Sequence, residues 1–289
     1  MADQRLLGPA DVRNIAARLD LRPSKRLGQN FVIDHGTLRR VVRLAAVRPD
    51  EDVLEVGPGL GSLTLALLPA ARRVLAIEVD PVLAAELPAT VASFAPGLAG
   101  RLEVVTADAA RVTELPGAPV SVLVANLPYN AAVPILLHLL DTVPSLGRGV
   151  IMVQAEVAER MTAPPGSRTY GVPSAKLAWY ARLRRVGPVP RSVFWPVPRV
   201  DSALVAFTRH EPPGAQVSRR ELFGVIDAAF AQRRKMLRSA LASWAGSATQ
   251  AEQILSEAGV DPAARGESLG VAEFAGIAAA RTIIKSGPL

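Results

Sequence analysis

The sequence contains no cysteine and little histidine. Without cysteine in 289 residues, thiolate nucleophiles, disulfides, iron–sulfur clusters and Cys-ligated zinc are excluded, as is base methylation through a covalent Cys adduct. The three histidines, His35, His138 and His210, are far apart in the sequence and lack the spacing of metal ligands. We therefore predict no metal site.

Long apolar segments are also absent. No run of apolar residues reaches the roughly 20 residues that a transmembrane helix needs, and the first residues, MADQR, do not resemble a signal peptide. The sequence therefore predicts a cytosolic protein without membrane contact.

Acidic residues are fewer than basic ones. The chain has 33 Lys and Arg against 26 Asp and Glu, which gives a net charge of +7. This excess favours a polyanionic partner, above all nucleic acid. The alternative is a coding bias, because the composition is rich in Ala and Arg and poor in Lys.

The order of secondary-structure patterns predicts the fold class. Helical patterns follow residue 215, at 221–242, 251–258 and 271–285, whereas strands and helices alternate before it. This order predicts an α/β fold, a Rossmann-like, doubly wound, mostly parallel seven-stranded sheet with a smaller all-helical C-terminal domain. The proline-rich segment HEPPGA at 210–215 sets the domains at residues 1–209 and 210–289. The predicted strands are at residues 52–61 (ending in a glycine-rich turn), 73–80, 102–108, 122–126, 149–154, 177–186 and 202–208.

The glycine-rich turn after the first predicted strand indicates a nucleotide-like ligand. Gly57, Gly59 and Gly61 connect a strand to a helix that starts at Ser62, and glycines let the backbone approach a ligand closely. A P-loop would need a Gly-Lys-Ser/Thr end, and a dinucleotide site would need Gly-x-Gly-x-x-Gly. The observed spacing favours a cofactor with a nucleoside and an amino-acid tail but no phosphate.

Two carboxylates follow the next two predicted strands. Glu78 lies about twenty residues after the first glycine, where an acid can accept both ribose hydroxyls. Asp108 ends the following strand and can accept the adenine amino group of the cofactor. Asp80 is predicted to cap a helix instead. Two acids at successive strand ends behind a glycine turn predict a nucleoside site.

The stretch VLVANLPYN, residues 122–130, is predicted to be a buried strand followed by a loop with a functional role. Pro128 cannot continue a strand, so the chain leaves the sheet near Asn126. The Asn126 side chain and the Leu127 or Pro128 carbonyl can accept hydrogen bonds from an adenine amino group, and Tyr129 can stack on the base. The alternative is an ordinary strand end followed by a turn.

Three other segments are predicted to contact RNA, its phosphates or a ligand. Phe194, Trp195 and Arg199 lie in a proline-rich segment that suits an unstacked base, although it is equally typical of a stiff connector. The cations Arg233, Arg234 and Lys235, followed by Arg238, can contact phosphates, or form a solvated helical face. A basic loop at residues 22–34 is predicted to approach phosphate and cover a ligand.

Four motifs in this order resemble the ribosomal RNA adenine dimethylases. They are LGQNF at 27–31, EVGPGLG at 55–61, NLPYN at 126–130 and FWPVPRVDS at 194–202, so the resemblance covers nearly the whole chain. The family includes small-subunit enzymes and macrolide-resistance methylases of 23S rRNA. Asn130 and the segments 154–160 and 229–235 are similar to the small-subunit branch.

The resemblance implies an enzyme that uses S-adenosyl-L-methionine to dimethylate N6 of two adjacent adenosines near the 3′ end of 16S rRNA. Its expected partner is the immature small ribosomal subunit, and it is expected to act as a monomer. By motif position, the expected catalytic residues are Asn126, Leu127, Pro128 and Tyr129. The expected cofactor residues are Asn30 and Val32 at the methionine end, Gly57 and Gly59 in the glycine turn, Glu78 at the ribose, Asp108 at the adenine, and Asn126 where cofactor and target meet.

The sequence departs from the family pattern at two places, and other functions stay open. Val32 replaces a usual leucine. Val172 with Pro173 replaces a usual Arg-Leu pair, which weakens the expectation that the basic loop leading into these residues, at 164–171, contacts RNA. One alternative is a small-subunit assembly factor whose methylation is dispensable. Another is a 23S rRNA adenine methylase. An NAD oxidoreductase is disfavoured by the glycine spacing.

Overall fold

The structure is a computed structural model that describes residues 5–21, 30–128, 131–214 and 217–286. The chain forms two compact units. The first unit comprises Met1–Ala158 and Arg184–Arg209, and the second comprises Glu159–Leu183 and His210–Leu289. None of the helices in the described ranges is long and apolar enough to span a membrane.

The predicted seven-stranded, mostly parallel sheet is confirmed. Its strand order is β4-β3-β2-β5-β6-β9-β7, with parallel pairing from β4 through β6 and antiparallel pairing between β6 and β9. A separate two-stranded sheet pairs β1 with β8. The strands are β1 (Phe31–Val32), β2 (Asp52–Val56), β3 (Arg73–Glu78), β4 (Leu102–Thr106), β5 (Val122–Asn126), β6 (Arg148–Gln154), β7 (Ala181–Val189), β8 (Phe194–Trp195) and β9 (Ser202–Arg209).

Helices cover the sheet and make up most of the second unit. Those within or beginning in the first unit are α1 (Pro9–Arg18), α2 (His35–Ala45), α3 (Ser62–Leu67), α4 (Pro81–Phe94), α5 (Ala132–Thr142) and α6 (Ala155–Thr162). Those of the second unit are α7 (Val172–Leu177), α8 (Arg219–Ala231), α9 (Leu237–Ala240), α10 (Ala242–Ala245), α11 (Ala248–Glu257) and α12 (Val271–Ser286). Short 3-10 turns lie at Pro96–Arg101, Arg191–Val193 and Gly266–Ser268.

The central strands are buried, and most of their side chains are apolar. Every residue of β2 is buried, as are the first four of β5. Such strands are typical of a parallel sheet covered by helices on both sides. The carboxyl ends of β2, β3 and β5 therefore meet at one edge, where open α/β sheets bind their ligands.

The opposite edge of the sheet carries ion pairs instead. Glu51 is bound by the guanidinium groups of Arg148 at 2.6 Å and Arg48 at 2.8 Å. The hydrogen bond from Arg148 is the main cause that lowers the pKa of Glu51 to about 2, against the cost of burial. Asp52 is similarly paired with Arg72 and Arg73. These ion pairs tie the amino-terminal ends of β2, β3 and β6 together.

Two predicted features of the chain's organisation, the strand at 177–186 and the domain boundary, differ from the structure. The segment 177–186 is not one strand, because α7 ends at Leu177 and β7 begins at Ala181. The departure at Val172 and Pro173 lies in the first turn of α7, where proline is tolerated because the N–H is not needed. The predicted domain boundary at residue 209 omits Glu159–Leu183, which belongs to the second unit.

Tyr170 packs the segment Glu159–Leu183 against other residues of the second unit. Its ring packs edge-on against Phe230 at 5.8 Å, and its hydroxyl donates to the carbonyl of Leu269 at 2.8 Å. Burial raises the pKa of the Tyr170 hydroxyl to about 12, so it stays a hydrogen-bond donor. The segment at residues 164–171 is therefore anchored to the helices of the second unit by Tyr170, its one aromatic residue.

The predicted helix at 221–242 is also wrong, because it is broken into three helices. After α8 ends at Ala231, the amides of Leu237 and Arg238 donate to the carbonyls of Ala264 and Pro262 rather than to a preceding helical turn. These tertiary hydrogen bonds replace the helical ones. Arg233, Arg234 and Lys235 consequently lie in a turn and not on a continuous helical face.

Candidate active site

A cleft of about 290 Å³ opens at the carboxyl ends of β2, β3 and β5, within the first unit. All the residues predicted to bind a cofactor line it: Asn30, Val32, Gly57, Gly59, Glu78, Asp108 and Asn126. Pro128, which was predicted to be catalytic, lines it too. Sequence reasoning missed the other walls, most of which are apolar: Phe31, Val56, Pro58, Ser62, Leu63, Ile77, Val79, Leu83, Ala107, Ala109, Ala131 and Ile135. Most of the missed residues adjoin a predicted one in the sequence.

The glycine turn has the backbone conformation that its sequence predicts. Gly57, Gly59 and Gly61 have φ angles of +68°, +57° and +96°, a region that side chains with a Cβ rarely adopt. The Gly57 amide donates to the Ile77 carbonyl at 2.9 Å, which ties the turn to the end of β3. A Cβ at Gly59 would lie 2.9 Å from the ring of Phe31. The turn therefore needs glycine both for its backbone angles and for its contact with the opposite wall.

Glu78 is held in place by the backbone around it. Its two carboxylate oxygens accept hydrogen bonds from the amides of Gly59 at 3.1 Å and Asp80 at 3.0 Å. Burial raises the pKa of Glu78, while these amides partly oppose the shift. Asp80 accepts from the Val82 amide at 2.9 Å and caps α4, which confirms its predicted role. Glu78 thus presents a fixed, nearly buried acceptor at the centre of the cleft.

Asp108 is more open than Glu78. One oxygen accepts from the Ala110 amide at 2.9 Å, and the other lies 3.6 Å from Arg111 Nε. Its side chain is 47% exposed, so a ligand can reach it from the mouth of the cleft. The two acids therefore differ in access, with Glu78 inside the cleft and Asp108 at its rim.

The strand end at Asn126 lies against the wall formed by residues 30–32. The Asn126 Nδ2 donates to the Asn30 carbonyl at 3.0 Å, which fixes the orientation of the carboxamide. Leu127 is buried and its amide donates to Met152 at 3.0 Å. The Pro128 carbonyl already accepts from the amides of Ala131 and Ala132, both at 3.1 Å. Tyr129 lies outside the described residues.

The wall at residues 30–32 is held by the proline-rich segment. Phe31 and Val32 pair with Trp195 and Phe194, and the rings of Phe31 and Trp195 stack at 6.3 Å. The Ile33 amide donates to the Val193 carbonyl at 2.8 Å. Phe194 is only 1% exposed, so its ring belongs to the core here, and the predicted contact with RNA would require this segment to rearrange.

Two buried polar atoms close to the glycine turn lack a hydrogen-bond partner among the described residues. They are Glu55 Oε1 and Ser62 Oγ, and Ser62 lines the cleft. The other Glu55 oxygen accepts from the Thr64 hydroxyl at 2.7 Å. Burial raises the pKa of Glu55 to about 8, against the effect of this hydrogen bond, so the carboxyl is mainly protonated at neutral pH. Unsatisfied polar atoms of this kind suit a ligand with a polar tail.

The cations predicted to contact RNA fall into two places. Arg199 is exposed on the first unit, in a depression that Arg191 and Asp201 also line. The predicted cluster Arg233–Lys235 is in the second unit, where Arg233 binds Glu267 at 2.7 Å and the Arg168 carbonyl at 2.7 Å. Arg234 and Lys235 are exposed. Arg233 is therefore a structural residue of this turn, and its neighbours are available to a ligand.

Comparisons with known proteins agree on one family. The model of the family described as ribosomal RNA adenine dimethylase matches residues 21–280. A protein of Thermobifida fusca named ribosomal RNA small subunit methyltransferase A is 65% identical over 277 residues, covering 96% of each chain. A protein of the same name from Kineococcus radiotolerans is 63% identical, covering 96% of this chain and 92% of its own.

Solved structures share the fold. A dimethyladenosine transferase of Plasmodium falciparum superimposes with a TM-score of 0.73 at 24% identity, over 86% of this chain and 95% of its own. The 23S rRNA methyltransferase ErmE superimposes with a TM-score of 0.64 at 28% identity, over 88% of this chain and 100% of its own. The identity to the small-subunit proteins is more than twice as high.

Proposed function

Since this chain belongs to the ribosomal RNA adenine dimethylase family, we propose that it dimethylates N6 of two adjacent adenosines near the 3′ end of 16S rRNA. The methyl donor is S-adenosylmethionine, and the substrate is the immature small ribosomal subunit, on which the chain acts as a monomer in the cytoplasm. One observation carries the proposal: a single cleft brings a glycine turn and two strand-end acids together with the Asn-Leu-Pro strand end.

The cleft has acceptors and apolar walls where such a donor needs them. When bound, S-adenosylmethionine supplies an electrophilic methyl group on a sulfonium centre. Glu78 accepts the ribose hydroxyls, and Asp108 accepts the adenine amino group at the more exposed rim. Asn30 and the unsatisfied Ser62 hydroxyl are suited to the amino-acid tail. The fit is good because acceptors, one unsatisfied hydroxyl and apolar walls line the cleft, and a nucleoside with an amino-acid tail needs these groups.

Asn126 selects and orients the target amino group. The N6 lone pair of adenine is delocalised into the ring, so acceptors for both N–H groups favour the pyramidal geometry in which nitrogen attacks. We assign one acceptor to Asn126 Oδ1, because its Nδ2 is held by the Asn30 carbonyl. The second is the Leu127 carbonyl, because the Pro128 carbonyl already accepts from two amides. The contribution is positioning and hydrogen bonding.

Methyl transfer from a labelled donor tests the proposal. Small-subunit particles that lack the modification should incorporate label, and nucleoside analysis should identify N6,N6-dimethyladenosine near the 3′ end of 16S rRNA. In a parallel reaction with unmodified 23S rRNA, label in that RNA and none in the particles would identify a resistance-type methylase. Tight binding to the particles without label would support the assembly-factor alternative and contradict the enzymatic proposal.

The basic turn at 233–235 is proposed to bind rRNA phosphates. We predict different effects for substitutions of its two arginines. Arg234→Ala should weaken binding to the particles and reduce its salt dependence by about 0.7 to 0.9 in log–log slope, as expected for one lost phosphate contact. Arg233→Ala should instead lower the melting temperature, because it removes two hydrogen bonds to Glu267 and Arg168. Binding titrations in increasing salt and thermal melts of both variants separate the roles. Equal stability and equal binding loss in both variants would contradict this division.

A further inference from the structure

Helix α2 has a stripe of arginines on its exposed side. Arg39, Arg43 and Arg40 fall within an arc of about 100° around the helix axis at 3.6 residues per turn. The opposite side of α2 carries its buried residues Leu38, Val41 and Ala45. The helix contains no acidic residue, so nothing within it offsets these charges.

Strand β7 continues this basic surface. It is the last strand of the sheet, and both Arg184 and Arg185 are exposed in it. The guanidinium group of Arg40 donates to the carbonyls of Pro188 at 2.9 Å and Val186 at 3.3 Å. Arg40 therefore ties the α2 stripe to the backbone of β7 within the first unit, next to Arg184 and Arg185, whose side chains leave this edge strand on opposite faces.

Gly187 permits this contact. It has a φ of +143°, and a Cβ there would lie 1.8 Å from Arg40 Nη2. A side chain at this position would push the guanidinium group off the strand. The approach of Arg40 to β7 thus depends on a residue without a side chain.

The four outer arginines of this surface, Arg39, Arg43, Arg184 and Arg185, form no ion pair within the described ranges of the chain. Other arginines of the same unit do, for example Arg18 with Glu86, where the nitrogen and oxygen are 2.5 Å apart. Charged residues on a sheet edge also prevent edge-to-edge pairing. That role would explain the arginines of β7 but not the stripe on α2.

We infer that α2 and β7 form an arginine surface, comprising Arg39, Arg40, Arg43, Arg184 and Arg185, that binds the RNA phosphate backbone of the substrate particle. This inference rests on the proposed function, since it assigns a further contact to the same substrate. Five guanidinium groups without an acidic residue in either element match the repeating charge of RNA. The surface is separate from the cleft, because none of these residues lines it.

The test uses two double variants, Arg39→Ala/Arg43→Ala and Arg184→Ala/Arg185→Ala, in the full chain. A matched control is Arg13→Ala/Arg72→Ala, which removes the same charge from α1 and from the segment before β3, while Asp52 keeps its pairing with Arg73. Affinity for unmethylated small-subunit particles is measured from about 50 to 200 mM salt. For two lost phosphate contacts, the log–log salt slope of each test variant should be shallower by about 1.4 to 1.8, and the control should match wild type.

The turnover number at saturating particles and the affinity for S-adenosylmethionine should stay unchanged in both test variants. Arg→Lys changes at the same four positions should retain the wild-type slope, because they keep the charge. Wild-type slopes in both Ala variants, or an equal loss in the control, would overturn the inference. Failure of the wild-type chain to bind the particles at all would instead overturn the proposed function.

Discussion

Alanine at position 126 is expected to lower the rate of methyl transfer by about a hundredfold to a thousandfold or more, the range measured when an enzyme loses one oriented hydrogen-bonding group. The substitution removes the acceptor assigned to the target amino group. It also removes the Nδ2 donor to the Asn30 carbonyl, a bond of 3.0 Å that holds one wall of the cleft. Affinity for S-adenosylmethionine should fall only modestly, because Glu78 and Asp108 are unchanged.

The measurement is single-turnover methylation of unmodified particles, with cofactor affinity measured separately at equilibrium. Asn126→Asp separates the two roles of the side chain, since it keeps an acceptor oxygen but loses the donor to Asn30. We expect Asn126→Asp to transfer methyl groups more slowly than wild type and faster than Asn126→Ala. If Asn126→Ala methylates the particles at the wild-type rate, the assignment of this residue is wrong.

The meeting of the glycine turn and the two acids in one cleft could be predicted from the sequence because these residues lie at strand ends. Glu78 and Asp108 each end or follow a strand of a parallel sheet, so their meeting at one edge is a consequence of the fold class. The glycine turn is likewise local, since φ angles above zero at Gly57 and Gly59 are a property of the turn itself. Such local rules do not depend on distant contacts.

The features that sequence patterns did not predict depend on distant pairings. The helix predicted at 221–242 breaks because Leu237 and Arg238 donate to carbonyls some 25 residues further along. Phe194 is buried because β8 pairs with β1, more than 160 residues earlier in the chain. An aromatic residue in a proline-rich segment looks the same in the sequence whether it faces a base or the core.

The same distant pairing gives Phe31 a role that its position in the LGQNF motif does not reveal. Its ring is packed between the glycine turn and Trp195. The position of the proline-rich segment therefore affects where this wall of the cleft lies. The wall of the cleft at Phe31 is therefore shaped by residues from three separate parts of the sequence. Gly59 lies so close to the Phe31 ring that even a methyl group at this position would contact it at 2.9 Å.

Gly59→Ala is expected to lower the free energy of unfolding by about 1 to 2 kcal/mol, because an L-residue must adopt the left-handed conformation. It should also weaken S-adenosylmethionine binding at least about tenfold, or about 1.4 kcal/mol. The added Cβ would lie 2.9 Å from the Phe31 ring, which must then move and reshape the wall. Gly100→Ala is the matched control, since a Cβ there has no neighbour within 4 Å.

Combining Gly59→Ala with Phe31→Leu tests whether the clash is the cause. If the ring is what the new methyl group strikes, the smaller side chain should restore part of the cofactor affinity, and the two changes should be non-additive. The loss of stability should persist in the double variant, because backbone strain at a φ of +57° does not depend on Phe31. Additive losses in cofactor affinity would mean that Gly59 acts only through its backbone, including its hydrogen bond to Glu78, and not through the wall it faces.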